Sequence, residues 1–329
     1  MKKTTKKIMI GSAITAGVAA VAAGASVISH TITKKLMQVA LDRKQPKMPQ
    51  KAQNSMMGAS NIDLSAVIDG NRAAVERLEQ GVTQTAEIVS FDGTPLTGHF
   101  VACEQPRRIL VAMHGWRSSW SNDFAAIADF WKQSGCSVLY AEQRGQNNSG
   151  GDYMGFGLLE RYDCLEWVKW VNETVNPERL PIYLCGISMG ATSVLMASGL
   201  ALPDNVHGVM ADCGFTSPEA IWRQVVEKNF RLSYKVRAAT AEKICRQKIH
   251  MGANDVSTID VLREGHLPVL FVHGSDDHFV PVEMTFENYK ACAAPKRLLI
   301  VPGAEHGLSY FIDKESYEAA STAFWKDFD

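Results

Sequence analysis

The sequence lacks the short patterns by which a chain most often holds a cofactor. There is no H-E-x-x-H, no glycine-rich P-loop and no G-x-G-x-x-G, so no metal or organic cofactor is expected. The cysteines, Cys103, Cys136, Cys164, Cys185, Cys213, Cys245 and Cys292, are odd in number and none belongs to a C-x-x-C pair. A disulfide framework is therefore not indicated, and several of them, such as Cys185 in Leu184-Cys185-Gly186, read as small buried hydrophobes. Net charge is almost absent as well: 34 Lys and Arg against 35 Asp and Glu leave −1. The balance is uneven, because residues 1–51 hold ten Lys and Arg and one acid, Asp42. The other 278 residues then carry 24 basic and 34 acidic side chains, or −10. A body of that sign has no basic footprint for nucleic acid. No internal repeat is visible, and 46% hydrophobic with 21% charged residues excludes wholesale disorder.

What the N-terminus does have is an uncharged run of 26 residues, Ile8 to Thr33, between Lys2, Lys3, Lys6, Lys7 on one side and Lys34, Lys35 on the other. A helix needs about 20 apolar residues to cross the hydrocarbon of a bilayer. Residues 1–33 are therefore read as a single-pass membrane anchor. The alternative is a signal peptide cut near Ala23-Gly24-Ala25, which would release a secreted protein. Lysines flank both ends, so the charge rule does not choose the side on which the body lies. Residues 34–60, polar and carrying Pro46 and Pro49, read as a linker. The folded domain is assigned to 61–329, opening with a helix over Ile62–Gln80 interrupted near Gly70.

From Thr85 the pattern alternates. Glu87–Phe91 and Leu96–Ala102 flank Asp92-Gly93, a hairpin signal. Strand-like runs follow at Ile109–Met113, Ser137–Ala141, Ile182–Cys185, Val206–Ala211, Val269–Val272 and Leu298–Val301. Helical runs fall at Asp123–Gln133, Leu158–Val171, Met189–Gly199, Val282–Ala291 and Glu315–Phe328. Such alternation predicts an α/β fold, a mostly parallel central sheet with helices on both faces. Residues 216–262 break it with helical stretches only. An insertion at the carboxyl edge of a parallel sheet lies over the ligand crevice, so this segment reads as a lid.

The chemistry-bearing residues fall at strand ends. Gly186-Ile187-Ser188-Met189-Gly190 is a G-x-S-x-G between a strand and a helix, the context in which a sharp turn lifts a serine hydroxyl out of the sheet. Phe271-Val272-His273-Gly274-Ser275-Asp276-Asp277-His278-Phe279-Val280-Pro281 puts an acid beyond a buried strand, and Gly303-Ala304-Glu305-His306-Gly307 puts a histidine beyond the last one. With His114-Gly115-Trp116 after the first central strand, the region from about Glu87 to the C-terminus resembles the α/β-hydrolases, in their serine-aminopeptidase-like, acyl-esterase and lipase branch. Membrane-anchored bacterial hydrolases are the nearest likeness.

The resemblance implies a serine nucleophile, Ser188, a base, His306, and an acid, Asp277. The H-G-x-x-D-x-x-V-P register selects Asp277 over Asp276, which reads as a turn residue. It also implies an oxyanion hole from the backbone N–H groups of Met189 and Trp116. His273 and His114 read as structural, and Asp212 as a hydrogen-bonding residue in a segment, Asp212-Cys213-Gly214-Phe215, that shapes a pocket wall. One departure is visible: where the family usually has R-G-x-G-x-S, this chain has Arg144-Gly145-Gln146-Asn147-Asn148-Ser149. Asn147 replaces the second glycine and can still take a left-handed conformation. The expected activity is cleavage of a small-molecule carboxylic ester through an acyl-enzyme, with Trp222 and Phe230 of the lid as candidate walls of an acyl or aromatic pocket. A peptidase or amidase would use the same residues, and a non-catalytic binding protein on the same scaffold is the third reading. No specific protein partner is indicated.

Overall fold

Arg108–Met113 and Cys136–Ala141 are buried at every position, which suits strands covered on both faces. They lie at the centre of an eight-stranded sheet in the computed structural model, which describes residues 29–47 and 64–329. Its strands are β1 (Gln84–Val89), β2 (Pro95–Val101), β3 (Arg108–Met113), β4 (Cys136–Ala141), β5 (Ile182–Ile187), β6 (Val206–Asp212), β7 (Val269–Gly274) and β8 (Lys296–Val301). Their spatial order is β1-β2-β4-β3-β5-β6-β7-β8. The β1–β2 and β2–β4 pairs are antiparallel and the remaining five are parallel. The expected hairpin forms one edge, with Gly93 at φ 85° in its turn, although its first strand begins at Gln84 and ends before Phe91.

The helices, in chain order, are α1 (29–41), α2 (Leu64–Gln80), α3 (Trp120–Gln133), α4 (Glu160–Trp170), α5 (Met189–Ala197), α6 (Pro218–Gln224), α7 (Ala238–Ile249), α8 (Thr258–Glu264), α9 (Val282–Ala291), α10 (Ser309–Ile312) and α11 (Lys314–Phe328). One face of the sheet packs on α4, α5 and α8, through Cys164, Trp167, Val194 and Leu262. The other packs on α3 and α11, through Phe124, Trp131, Phe324 and Trp325. The layering is that of a doubly covered α/β domain, as the alternation predicts.

Between β6 and β7 the chain is helical, as expected for the lid. Ser217 caps α6 by accepting from the Ala220 N–H, with Pro218 in the first turn where its missing N–H costs nothing. Ser257 caps α8 in the same way, from the Asp260 N–H. Val225–Asn229 widens the end of α6 into a π turn. The lid's apolar side chains, among them Ile221, Trp222, Tyr234 and Ile249, form a third cluster together with Met37 and Leu41 from α1.

Two expectations at the N-terminal end are corrected. Residues 34–41, read as the start of a polar linker, are helical and continue a helix that begins at 29. Thr33, read as the end of the apolar run, is buried against the body. Residues 8–28 of that run and residues 48–63 lie outside the described residues. Among the described residues no helix is long and apolar enough to cross a membrane. In addition, α2 runs through Gly70 without a break. A glycine in a helix interior costs only about 1 kcal/mol relative to alanine, too little to end a helix anchored at Leu78.

Trp167 is a sensitive point of this packing. It is fully buried and fills the space above Gly98, where an added Cβ would stand 2.9 Å from its ring. Replacing it by alanine should lower the unfolding free energy by about 3–5 kcal/mol, read as a shifted urea midpoint. A loss below about 1 kcal/mol would show that this face of the sheet repacks.

Candidate active site

The site is built where β5 turns into α5. Ser188 has φ 56° and ψ −116°, a backbone conformation that a side-chain-bearing residue holds only under constraint. The constraint is close approach on both sides. A Cβ on Gly186 would lie 2.3 Å from the Gly190 carbonyl carbon, and one on Gly190 would lie 1.8 Å from the Met113 carbonyl oxygen. Glycine at both positions lets α5 start directly against β3. The Ser188 hydroxyl is held at the sheet's carboxyl edge, 6% exposed.

Two loops bring the other groups to it. Ser188 Oγ lies 2.9 Å from His306 Nε2 and donates to it in the neutral tautomer, while His306 Nδ1 donates to Asp277 Oδ2 at 2.6 Å. Asp277 Oδ1 accepts from the backbone N–H groups of Phe279 and Val280, each at 2.9 Å. His273, fully buried, donates from Nε2 to Asp277 Oδ2 at 3.0 Å and to the Val280 carbonyl at 2.9 Å, while its Nδ1 accepts from Thr285 Oγ1 at 2.7 Å. Every acceptor direction of the carboxylate is thus used. Burial pushes the Asp277 carboxyl up, but the charge of His306 and the hydrogen bonds from both imidazoles outweigh it and hold the group well below the usual carboxylate range. Burial opposes a charge on His306 too. There Asp277 prevails and raises the imidazole above its ordinary value.

Sequence reasoning assigned His273 only to a turn; the structure adds its bond to the acid. It did not single out Cys213 for chemistry. This buried residue at φ 48° has its sulfur within 4.8 Å of the ligating atoms of both Asp277 and His306. Its thiol is pushed up to about 11 by burial, so it stays protonated. No spacing rule links residues 213, 277 and 306, so only the fold could reveal the contact. Asp276 is exposed and bonded to Ser275, Asp212 accepts from Ser309 Oγ at 3.1 Å, and His278 is exposed.

The candidate oxyanion donors flank the serine. Met189 opens α5, and the first N–H groups of a helix have no acceptor within it. Trp116 follows Gly115, whose position a Cβ would bring within 3.5 Å of Ser188 Cβ. Asp123 fastens this loop by accepting from the Gly115 N–H at 2.6 Å and from Ser118 Oγ at 2.5 Å. His114, kept neutral by burial, donates from Nδ1 to the Gly115 carbonyl at 2.8 Å and accepts at Nε2 from the Gln143 N–H. Asn147 takes φ 48°, the left-handed conformation expected of it, and its amide reaches the Ser118 carbonyl at 3.0 Å.

Ser188 opens onto two spaces. One is a narrow apolar cavity lined by Trp116, Phe156, Phe215, Trp222 and Phe230 and by Leu36, Met37 and Ala40 of α1. Both lid residues singled out from sequence therefore line the cavity of Ser188. The other is a wider cleft bordered by Asn71, Arg72, Glu76, Asn122 and His306. A hydroxyl paired with an imidazole that a buried carboxylate orients can be deprotonated and attack an electrophilic carbon.

Comparison with known proteins agrees with this architecture. The profile of the family described as "Serine aminopeptidase, S33" matches residues 104–247, a span that includes the serine turn but neither Asp277 nor His306. YqkD of Bacillus subtilis (strain 168), an uncharacterized protein, is 27% identical over 256 residues, 78% of this chain and 83% of its own. YfhR of Escherichia coli (strain K12), also uncharacterized, is 23% identical over 228 residues, 68% of this chain and 73% of its own. The esterase Pf2001 of Pyrococcus furiosus superposes with a TM-score of 0.60 at 21% identity, over 74% of this chain and 92% of its own. The chain has the α/β-hydrolase fold, and its resemblance to the serine-aminopeptidase-like branch is borne out.

The charge balance at His306 can be read directly. By NMR its imidazole should titrate above the ordinary value of about 6.5, and Asp277→Asn, which removes the charge that favours the imidazolium, should move that titration downward. An unchanged midpoint would mean that Asp277 does not govern the ring.

Proposed function

We propose that this α/β-hydrolase is a serine hydrolase that cleaves a carboxylic ester through an acyl-enzyme. The observation that carries the reading is the Ser188–His306–Asp277 chain of hydrogen bonds, 2.9 and 2.6 Å long, at a strained turn beside two candidate backbone donors. Ser188 Oγ attacks the ester carbonyl carbon as its proton passes to His306 Nε2. The oxyanion is held by the N–H groups of Met189 and Trp116. When the tetrahedral intermediate collapses, His306 returns that proton to the departing alcohol oxygen. Water, deprotonated by the same nitrogen, then attacks the Ser188 ester and releases the acid.

The two spaces around Ser188 assign the halves of the substrate. The leaving oxygen must come within hydrogen-bond reach of His306, and His306 borders the wide cleft but not the apolar cavity. The alcohol therefore departs through the polar cleft and the acyl group occupies the cavity of Trp222 and Phe230. An acyl group is also what this lining favours over a peptide, since among its eighteen residues only Thr33, Trp116, Ser188, Trp222, Tyr234 and Arg237 carry a side-chain nitrogen or oxygen. The apolar run supports attachment to a membrane. With residues 29–33 belonging to α1, the stretch left to span is 8–28.

Ser188→Ala should abolish labelling by a fluorophosphonate and lower kcat on p-nitrophenyl esters by about 10⁴–10⁶, and loss of His306 should cost nearly as much. Retained turnover in Ser188→Ala would end the assignment. Trp222→Ala and Phe230→Ala should change the preference among acyl chain lengths in graded steps, since one methylene is worth about 1–3 kcal/mol. An unaltered ranking would make them core residues only. The full chain should stay with membranes through a carbonate wash, because insertion is not screened by ions; its release would remove the anchor.

A further inference from the structure

We infer that α1 is a working part of the active site: its residues set the length of acyl chain that fits, and its C-terminal turn holds the Trp116 loop in place through Arg117. The inference rests on the acyl-ester reading above and adds to it a segment that its sequence presents as linker. Thr33, Leu36, Met37 and Ala40 recur at spacings of three and four, so they form one stripe of a helix, and all of them line the cavity that contains Ser188, Trp222 and Phe230. Lys34 and Lys35, off that stripe, are exposed. Met37, buried there, is the longest α1 side chain in the lining.

The second half of the inference concerns the loop. The last carbonyls of a helix lack partners within it and form the negative end of its dipole. Here Arg117 supplies the partner: Nη2 donates to the Val39 carbonyl at 2.7 Å and to the Asp42 carbonyl at 2.6 Å, and Nη1 reaches the Arg43 carbonyl at 3.3 Å. Its own backbone is at φ 55°, with its N–H bonded to Gln146 Oε1 at 2.5 Å. Trp116, the candidate oxyanion donor next to it, is fixed to the same turn of α1 by Nε1 donating to the Ala40 carbonyl at 3.0 Å. The helix end is in turn tied to the body. Leu41 and Arg43 bond Met154 and Asp152 through backbone groups at 2.8 Å, Asp42 pairs with Lys248 of the lid, and the Arg43 guanidinium reaches the Asn147 carbonyl at 2.6 Å. The backbone N–H of Trp116 thus takes its position from α1 as much as from the sheet. Arg117 is a positioning residue, and Met37 a determinant of specificity.

The test uses the full chain and alkyl fluorophosphonates with ethyl to dodecyl chains. These react with an activated serine through a phosphoryl oxygen held where an oxyanion would be, whether the natural substrate is an ester or an amide. Misplacing or losing one oxyanion donor costs about 10²–10³ in rate. Arg117→Ala should accordingly lower the second-order rate constant of labelling at least tenfold at every chain length, with partial recovery in Arg117→Lys. Met37→Trp should lower the dodecyl-to-ethyl ratio of rate constants at least tenfold, and it keeps the test decisive if Arg117→Ala does not fold. Labelling of Arg117→Ala within twofold of the wild type, or an unchanged ratio in Met37→Trp, overturns the inference. A wild type that is labelled as expected, with both variants behaving as stated, but that hydrolyses no ester of any length would overturn the ester reading and leave the role of α1 standing.

Discussion

Between Gly190 and the carbonyl of Met113 there is no room for a single methyl group: an added Cβ would stand 1.8 Å from the oxygen. That contact fixes where α5 begins relative to β3, and the site follows from it. It holds Ser188 at φ 56°, starts α5 at the candidate donor Met189, and brings the Gly115 loop alongside. The strain in one residue is offset by the packing of a sheet and two helices, which is how a strained serine turn persists in a marginally stable protein.

Charge placement completes the arrangement. Asp277 gives up hydration on burial and recovers it through two backbone N–H groups and two imidazoles. A carboxylate held this firmly below its usual range stabilises the charge that His306 gains when it takes a proton. His273 contributes by occupying the lone pair next to the one His306 uses. The Cys213 thiol, protonated at neutral pH, adds a weak polar neighbour without competing charge.

The strands, the serine turn and the acid and histidine loops were legible because each leaves a local signature. Apolar runs as short as Leu110–Met113, bounded by turn residues, suit buried strands, and Ser188 lies between two glycines at the end of one. The lid was legible by its lack of strands. His273 and Cys213 were not legible as partners of Asp277 and His306, since those contacts depend on how three loops fold over one another. The helix α1 was misread for a different reason. Lys34, Lys35, Gln38, Lys44 and Lys47 give its neighbourhood a polar composition, and that outweighed the stripe of Thr33, Leu36, Met37 and Ala40, which is helical in period but narrow. The break expected at Gly70 failed because propensity is a weak term beside packing.

The most direct measurement is a structure of the protein after reaction with an octyl fluorophosphonate. Phosphorus bonded to Ser188 Oγ, a phosphoryl oxygen facing the N–H groups of Met189 and Trp116, and the octyl chain lying between Met37 and Trp222 is the outcome required by this account. An adduct on another residue, or an octyl chain running into the cleft of Asn71 and Arg72, would contradict it.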